Sequence, residues 1–326
     1  MKLLVLLPAY NEEKTIKSVI KDIPQEIKGI DNIEVLVIDD GSDDATKREA
    51  LRAGAEVISF LENQGLSLVF QRGVEEALKR KADIMVNIDA DGQFNAGDIP
   101  YLVKPIIEEK KALVTASRFI NKKIIPRMPR LKKGGNFIIS RLISLSTKKK
   151  FYDVSCGFRA YSREALLNLN LFGRYTYTHE TILNLAFKNL LIKEVPIKVK
   201  GERDFGQSKI AHNLWRYGYQ ILNTFFRTLI DYKPLRYFGW TGIIFFILGL
   251  IFDIFIFIRL LILGAVFPYK TLGFMGLALN IFGLLLIIVG LVADMINKVR
   301  RTQEKIIYFE KIKHYQRNNT VKKDQS

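Results

Sequence analysis

Asp89, Asp91 and Gln93 alternate in the segment Asn87-Ile88-Asp89-Ala90-Asp91-Gly92-Gln93, directly after an apolar run. In an extended chain, residues two apart share a side, so two carboxylates and an amide oxygen can converge on one point. Hard oxygen donors of this kind suit Mg²⁺ or Mn²⁺, and a diphosphate would complete the shell. A solvated acidic loop also reads as Asp-x-Asp, but the apolar approach and a neighbouring acidic strand end favour the metal. That neighbour is Asp39-Asp40-Gly41-Ser42-Asp43-Asp44-Ala45-Thr46, and a third polar end is Pro8-Ala9-Tyr10-Asn11-Glu12-Glu13. Asp43 and Asp44 read as helix caps. Asp39 ends an apolar strand, where its carboxylate could accept from a nucleobase edge or a ribose.

Strands and helices must alternate to bring these ends together. Residues 3–7, 34–38, 56–60, 84–88, 113–116 and 192–199 carry β-rich apolar runs, and 12–23, 43–53, 67–80, 98–109 and 178–190 carry helical periodicity. Such alternation predicts an α/β domain with a doubly wound, mostly parallel sheet, whose ligands sit beyond the strand C-termini. His179-Glu180 falls inside a helical pattern and reads equally as pocket-lining or structural.

The motifs just quoted, followed by Ser117-Arg118-Phe119, Cys156-Gly157-Phe158-Arg159 and Gly206-Gln207-Ser208-Lys209, form an ordered set over residues 1–215. The set resembles the inverting family 2 glycosyltransferases of the GT-A fold, specifically the polyprenyl-phosphate glycosyltransferases of the dolichol-phosphate mannose synthase type. The resemblance implies transfer of one sugar from a GDP- or UDP-hexose to a polyprenyl or dolichyl phosphate, with Mg²⁺ or Mn²⁺ as cofactor. It implies that Pro8, Tyr10, Glu12, Val37 and Asp39 hold the nucleotide, and that Asp89, Ala90, Asp91 and Gln93 hold the divalent ion and the donor diphosphate. Asp91 and Arg118 would be the catalytic pair. Arg118 would face the acceptor phosphate with Arg130 or Lys133, and Arg203, Ser208 and Lys209 would close over the phosphates. The chain departs from the family at Gly134-Gly135, at Asn63-Gln64-Gly65 without a following Lys, and at Phe94-Asn95. The last two departures bear on which sugar and base are taken.

Charge and apolar content fit that reading. The formal charge is +17, with 48% hydrophobic residues and one cysteine, Cys156, which excludes a disulfide framework, a Cys-built metal site and a disordered basic polypeptide. Residues 118–150 hold eleven Lys/Arg and no acid, and 295–326 hold nine against three. A charge run is usually a solvated face; here an anionic lipid and membrane surface are the expected partners. Residues 240–266 and 272–293 are long enough to cross a bilayer, which needs about 20 residues. Arg227, Lys233 and Arg236 before the first run, and Lys298, Arg300 and Arg301 after the second, predict that both flanks are cytoplasmic.

The expected organisation is a cytosolic catalytic domain (1–212), interfacial helices (213–237), a two-helix transmembrane hairpin (238–294) and a basic cytosolic tail (295–326). The aromatic-rich segment 214–237 reads as a headgroup-layer helix or an amphipathic helix on the domain. Asp253 and Asn280 fall at similar depth, predicting a hydrogen bond within one hairpin or between subunits of a homo-oligomer, while Arg259 could snorkel.

A processive polysaccharide synthase is an alternative, opposed by the absence of Gln-x-x-Arg-Trp at Trp215 or Trp240 and by too few spans. A noncatalytic anchoring subunit would not need the Asp89, Asp91 and Gln93 cluster. Nucleic acid is not an expected partner, since no recognisable module accompanies the basic segments.

Overall fold

The computed structural model describes residues 1–121, 123, 125–126, 128, 130–171, 177–200 and 234–317, excepting the side chains of 130–132 and 316–317. Residues 213–233 of the interfacial segment and Arg203, Ser208 and Lys209 lie outside the described residues, as does the side chain of Arg130. The chain divides into two compact units, Met1–Phe225 with Tyr308–Ser326, and Phe226–Ile307.

In the first unit, seven strands form one sheet in the order β3-β2-β1-β4-β6-β5-β7. They are β1 Lys2–Ala9, β2 Asn32–Asp39, β3 Glu56–Ser59, β4 Ile84–Asn87, β5 Leu113–Ser117, β6 Arg159–Ser162 and β7 Ile192–Pro196. All pairs are parallel except those of β6, which runs antiparallel between β4 and β5. The helices are α1 Ile16–Lys21, α2 Thr46–Arg52, α3 Leu66–Lys79, α4 Ile99–Glu109, α5 Arg130–Thr147, α6 Arg163–Asn168 and α7 Tyr177–Phe187.

Strand alternation sorts the core onto two faces. Leu3, Val5, Leu7, Val37, Val86, Val114 and Ala160 join Ile16, Val19 and Ile20 of α1 and Ile99, Leu102 and Val103 of α4 in one cluster. Each such buried side chain contributes roughly 1.5–3 kcal/mol relative to exposure. On the opposite face α3 packs over Leu6, which a Cβ at Gly73 would overlap. There Phe70 stacks on Tyr177 at 4.2 Å and meets Tyr161 at 5.5 Å.

Pro8 illustrates how the sequence tolerates its own punctuation. Leu6 gives its carbonyl to Ile88 on the β4 side, so Pro8, of the same parity, turns its nitrogen that way. The β4 ladder ends at the Leu6–Asn87 pair, and the missing N–H forfeits no ladder bond.

The expected strands and helices are present with shifted ends: helix 12–23 shortens to α1, and strand 192–199 ends at Pro196. Three elements were not expected, namely α5 within the basic run, β6 and α6.

In the second unit, α8 spans Pro234–Leu263 and α9 begins at Lys270, running on to Arg317. Both are candidate membrane spans, and only 6% and 17% of their most apolar windows are buried, unlike core helices of a soluble domain. The basic segment after the second apolar run is helical as far as Arg317: α9 continues past Ala293, supported by i,i+4 pairs Asp294–Lys298 at 3.3 Å and Arg300–Glu304 at 3.6 Å. Asn280 donates to Asp253 within the one hairpin. Arg259 donates to the Phe267 carbonyl at 3.2 Å and lies over the Tyr269 ring.

Candidate active site

Parallel strands place the C-termini of β1, β2, β4 and β5 at one edge of the sheet, and antiparallel β6 starts there. The three polar ends seen in the sequence therefore meet. The first two are stitched together. Asn11, left-handed at φ 55° as Asn tolerates, donates its amide to Ser42 Oγ at 2.9 Å and accepts from the Asp43 amide at 3.0 Å. The Glu12 amide donates to Thr46 Oγ1 at 2.7 Å, and Glu13 Oε2 accepts from the Ala45 amide at 3.1 Å.

Asp44 accepts from the Thr46 amide at 2.9 Å and from its hydroxyl, so it holds the first residue of α2. The N-cap position itself is Ala45, which makes no side-chain cap bond, and neither Asp43 nor Asp44 occupies it. Burial pushes its carboxyl up, but the Thr46 hydroxyl and amide and the Glu13 amide outweigh that and hold it low. Asp43 contributes only its amide to the contact with Asn11.

Asp39 and Asp40 are both buried and do different things. Asp39 Oδ1 accepts from the Ser42 amide at 3.1 Å, closing the turn. Asp40 accepts from the amides of Gln64 at 2.7 Å and Gly65 at 3.0 Å, fastening the loop before α3. Burial raises the Asp40 carboxyl, with those two amides opposing. Gly41, at φ +70°, is required there, since a Cβ would come within 2.6–2.9 Å of backbone atoms of Glu62 and Asn63.

The Asp89–Gln93 loop leaves β4 and turns at Gly92, φ +71°. Asp91 is 3% exposed and accepts from the Gln93 amide at 3.0 Å. The Gln93 carbonyl accepts from the Lys200 amide at 3.0 Å. Asp89 stands over Gly157, where a Cβ would lie 3.0 and 3.1 Å from its carboxylate oxygens and 3.3 Å from the Tyr177 hydroxyl. Asn87 donates to the Gly157 carbonyl and the Tyr177 hydroxyl, each at 3.0 Å. Tyr177 is raised well above its ordinary value by burial and by the Asp89 charge, so its hydroxyl stays protonated.

Asp89, Asp91 and Gln93 fit a hard divalent cation: the donors are all oxygens, and the missing Cβ at Gly157 keeps the space against Asp89 open. Among the described residues no group of three or more His, Cys, Asp or Glu is placed to hold a metal ion. Of the remaining nucleotide candidates, Tyr10 and Glu12 are partly exposed and Ala90 is 2% exposed. Val37 is wholly buried in the core cluster, so it packs the domain and presents no surface to a ligand.

Arg118 follows β5 and is held by Asp153: Nε to Oδ2 at 2.6 Å, Nη2 to Oδ1 at 2.8 Å and its amide to Oδ2 at 3.1 Å. Its Nη2 also donates to Ser155 Oγ at 2.8 Å. Lys133 lies exposed on α5. Glu194 of β7 takes the Asp153 and Tyr152 amides at 2.8 and 2.9 Å; burial pushes it up to about 7 against the pull of those amides. His179 is 3% exposed and, driven first by burial and then by the Arg159 charge, is lowered to about 3. Its imidazole is therefore neutral near pH 7.

Cross-strand pairing lines up Asn87, Arg159, Thr115 and Glu194 in one row under this edge. Arg159 is fully buried and donates to the Thr178 and Val154 carbonyls and to Thr181 Oγ1 at 2.6–2.8 Å. Sequence reasoning missed Asn11, Asp40, Asp153 and Glu194. Asn11 and Asp40 lay within quoted motifs; Asp153 and Glu194 carried no signal beyond being acids near apolar residues.

A family model described as glycosyl transferase family 2 matches residues 4–169. The chain is 35% identical over 214 residues to the UDP-N-acetylglucosamine–dolichyl-phosphate N-acetylglucosaminyltransferase of Methanococcus voltae, covering 60% of this chain and 84% of that one. It is 32% identical over 195 residues to a dolichyl-phosphate hexose transferase of Haloferax volcanii, covering 60% and 81%. Among solved structures, glucosyl-3-phosphoglycerate synthase from Mycobacterium tuberculosis, in complex with Mn²⁺, UDP and glucosyl-3-phosphoglycerate, matches with TM-score 0.55 at 25% identity over 70% of this chain and 80% of that one. With polar strand ends gathered at the C-terminal edge of a GT-A sheet, these likenesses establish that the chain is a glycosyltransferase belonging to glycosyl transferase family 2.

Proposed function

We propose that the protein transfers one hexose-type sugar, with inversion, from a GDP- or UDP-sugar to a polyprenyl or dolichyl phosphate at the cytoplasmic face of a membrane. The observation that carries this is the meeting of Asp39, Asp89, Asp91 and Gln93 at one sheet edge, in a chain that also holds two apolar, lipid-suited helices. The names of the Methanococcus and Haloferax relatives support the acceptor class.

Asp89, Asp91 and Gln93 would hold Mg²⁺ or Mn²⁺, which when bound supplies positive charge to the leaving diphosphate. Asp39 and the stitched loops of β1 and β2 form the wall on which the nucleoside rests. Arg118, fixed by Asp153, presents a guanidinium for the acceptor phosphate, with Arg130, Lys133, Arg203, Ser208 and Lys209 assigned to the same anions by resemblance. A phosphate monoester is largely ionised near neutral pH, so the acceptor oxygen attacks the anomeric carbon without a protein base. That agrees with the neutral, buried state of His179.

Full-length protein in detergent, given radiolabelled nucleotide sugars and polyprenyl phosphate, is expected to yield an organic-extractable labelled product. A polymer would establish the processive synthase instead, and no product in either form the anchoring subunit. Transfer in metal-free buffer would overturn the assignment of Asp89, Asp91 and Gln93.

A further inference from the structure

We infer that Glu194 is the positioning residue for Arg118, acting through the backbone of Tyr152 and Asp153, and that it sets how well the acceptor phosphate is gripped. The inference rests on the assignment of Arg118 to that phosphate.

The geometry runs in three links. Arg118 meets Asp153 through two guanidinium nitrogens at 2.6 and 2.8 Å, and a two-point pair of planar groups fixes orientation as well as distance. Where the guanidinium points is therefore decided by where Asp153 stands. Asp153 belongs to the irregular stretch between α5 and β6, outside any helix or strand. Its position comes from the second link: the amides of Tyr152 and Asp153 both end on the Glu194 carboxylate, one on each oxygen, at 2.9 and 2.8 Å. The third link closes the frame. Glu194 pairs with Thr115 on β5, the strand that ends beside Arg118, so anchor and target share one rigid ladder with the loop clamped between them.

The α5 side adds a brace. Asn136 donates to the Tyr152 carbonyl at 3.0 Å and accepts from Ser155 Oγ at 2.9 Å. That brace holds the carbonyl side of Tyr152 and leaves the two amides to Glu194. A carboxylate is the one side chain of this length that offers a separate acceptor oxygen to each of the two amides. Glutamine keeps the shape but offers one oxygen, so its NH₂ would face an amide N–H.

The test measures steady-state kinetics of full-length wild type, Glu194→Gln and Glu194→Asp, with nucleotide binding by calorimetry as the check on folding. Glu194→Gln is expected to raise the KM for polyprenyl phosphate about ten-fold, from one amide left without its charged acceptor. The donor KM should move by less than about two-fold, and the rise in acceptor KM should exceed any fall in kcat. Glu194→Asp, which keeps both oxygens, should recover part of the acceptor KM.

Equal movement of donor and acceptor constants, or no movement of either, overturns the inference. Loss of nucleotide binding in both variants also overturns it, because Glu194 would then serve the fold as a whole. A wild type that makes no lipid-linked sugar overturns the acceptor assignment itself, and this inference with it.

Discussion

Gly157 lies directly beneath the carboxylate of Asp89, so close that a Cβ there would stand 3.0 and 3.1 Å from its two oxygens. Gly157→Ala therefore displaces Asp89 by a few tenths of an ångström and disturbs the Tyr177 hydroxyl, 3.3 Å from the same point. Groups that orient a metal ligand typically change metal affinity roughly 10- to 100-fold when altered. The expected outcome is a shift of that order in the Mn²⁺ or Mg²⁺ concentration giving half-maximal transfer, with the melting temperature little changed. An unaltered metal titration would remove Gly157 from the site.

Removing Asp91 should act more severely. Its oxygen already turns the loop through the Gln93 amide at 3.0 Å, so Asp91→Ala loses both a ligand and the turn that aims Gln93. Transfer is expected to fall below detection while the circular dichroism spectrum is retained. Substantial residual turnover would mean that this carboxylate is not part of the reacting centre.

Asp40 provides a contrast within the same motif. It faces the amides of Gln64 and Gly65, so Asp40→Asn would set an NH₂ against an N–H and leave a buried amide without its partner, at a cost of about 1–3 kcal/mol. The expected result is a lower melting temperature together with a weaker nucleotide affinity, since the loop before α3 loses its anchor. A fall in affinity without any fall in stability would argue that Asp40 touches the nucleotide itself.

His179 gives the pH dependence a sign. Its folded value of about 3 lies below the ordinary 6.5 of a histidine, because burial and the Arg159 charge disfavour the imidazolium. The unfolded chain then binds one more proton, so the stability His179 contributes is complete above pH 6.5 and is lost as the pH falls toward 3. One proton corresponds to about 1.4 kcal/mol per pH unit. Glu194, raised to about 7 by burial, contributes the opposite sign over the same range, so the readout is the difference. The free energy of urea unfolding between pH 6.5 and 5 should rise with pH more steeply in wild type than in His179→Gln, by up to this slope. Identical slopes would place the acid sensitivity elsewhere.

What the sequence disclosed followed the strength of local signals. The polar ends of β1, β2 and β4 were legible because each follows an apolar strand, and a parallel sheet gathers such ends at one edge. Strand β6 was not, since four residues carrying a buried Arg159 and Tyr161 lack the apolar pattern of a strand. Helix α5 was hidden by Gly134, Gly135 and a charge run that resembles a solvated face. The clamp on Arg118 joins residues 35 and 41 positions apart, and spacing alone cannot select Asp153 and Glu194 from the other acids. The course of α9 past Ala293 has no hydropathy signal to mark it, and i,i+4 ion pairs carry the helix on.

The hairpin offers a comparison between a polar contact and close packing. Asn280 donates to Asp253, a type of intramembrane bond worth about 0.6 kcal/mol on average and at most about 1.7. Glycines recur every seven residues at Gly276, Gly283 and Gly290 on α9 and at Gly242 and Gly249 on α8. A Cβ on Gly283 would lie 2.7 Å from the Gly242 carbonyl and the Phe246 amide nitrogen. Those neighbours are backbone, so the helices must separate, and overpacking of this kind costs about 1–3 kcal/mol. Gly283→Ala should therefore lower the melting temperature of the full-length protein in detergent more than Asp253→Leu does. The double variant Asp253→Leu with Asn280→Leu should cost less than the sum of the two single substitutions, as expected for partners in one bond. If Asp253→Leu leaves melting unchanged or improves it, the polar pair is dispensable and glycine packing alone holds the hairpin.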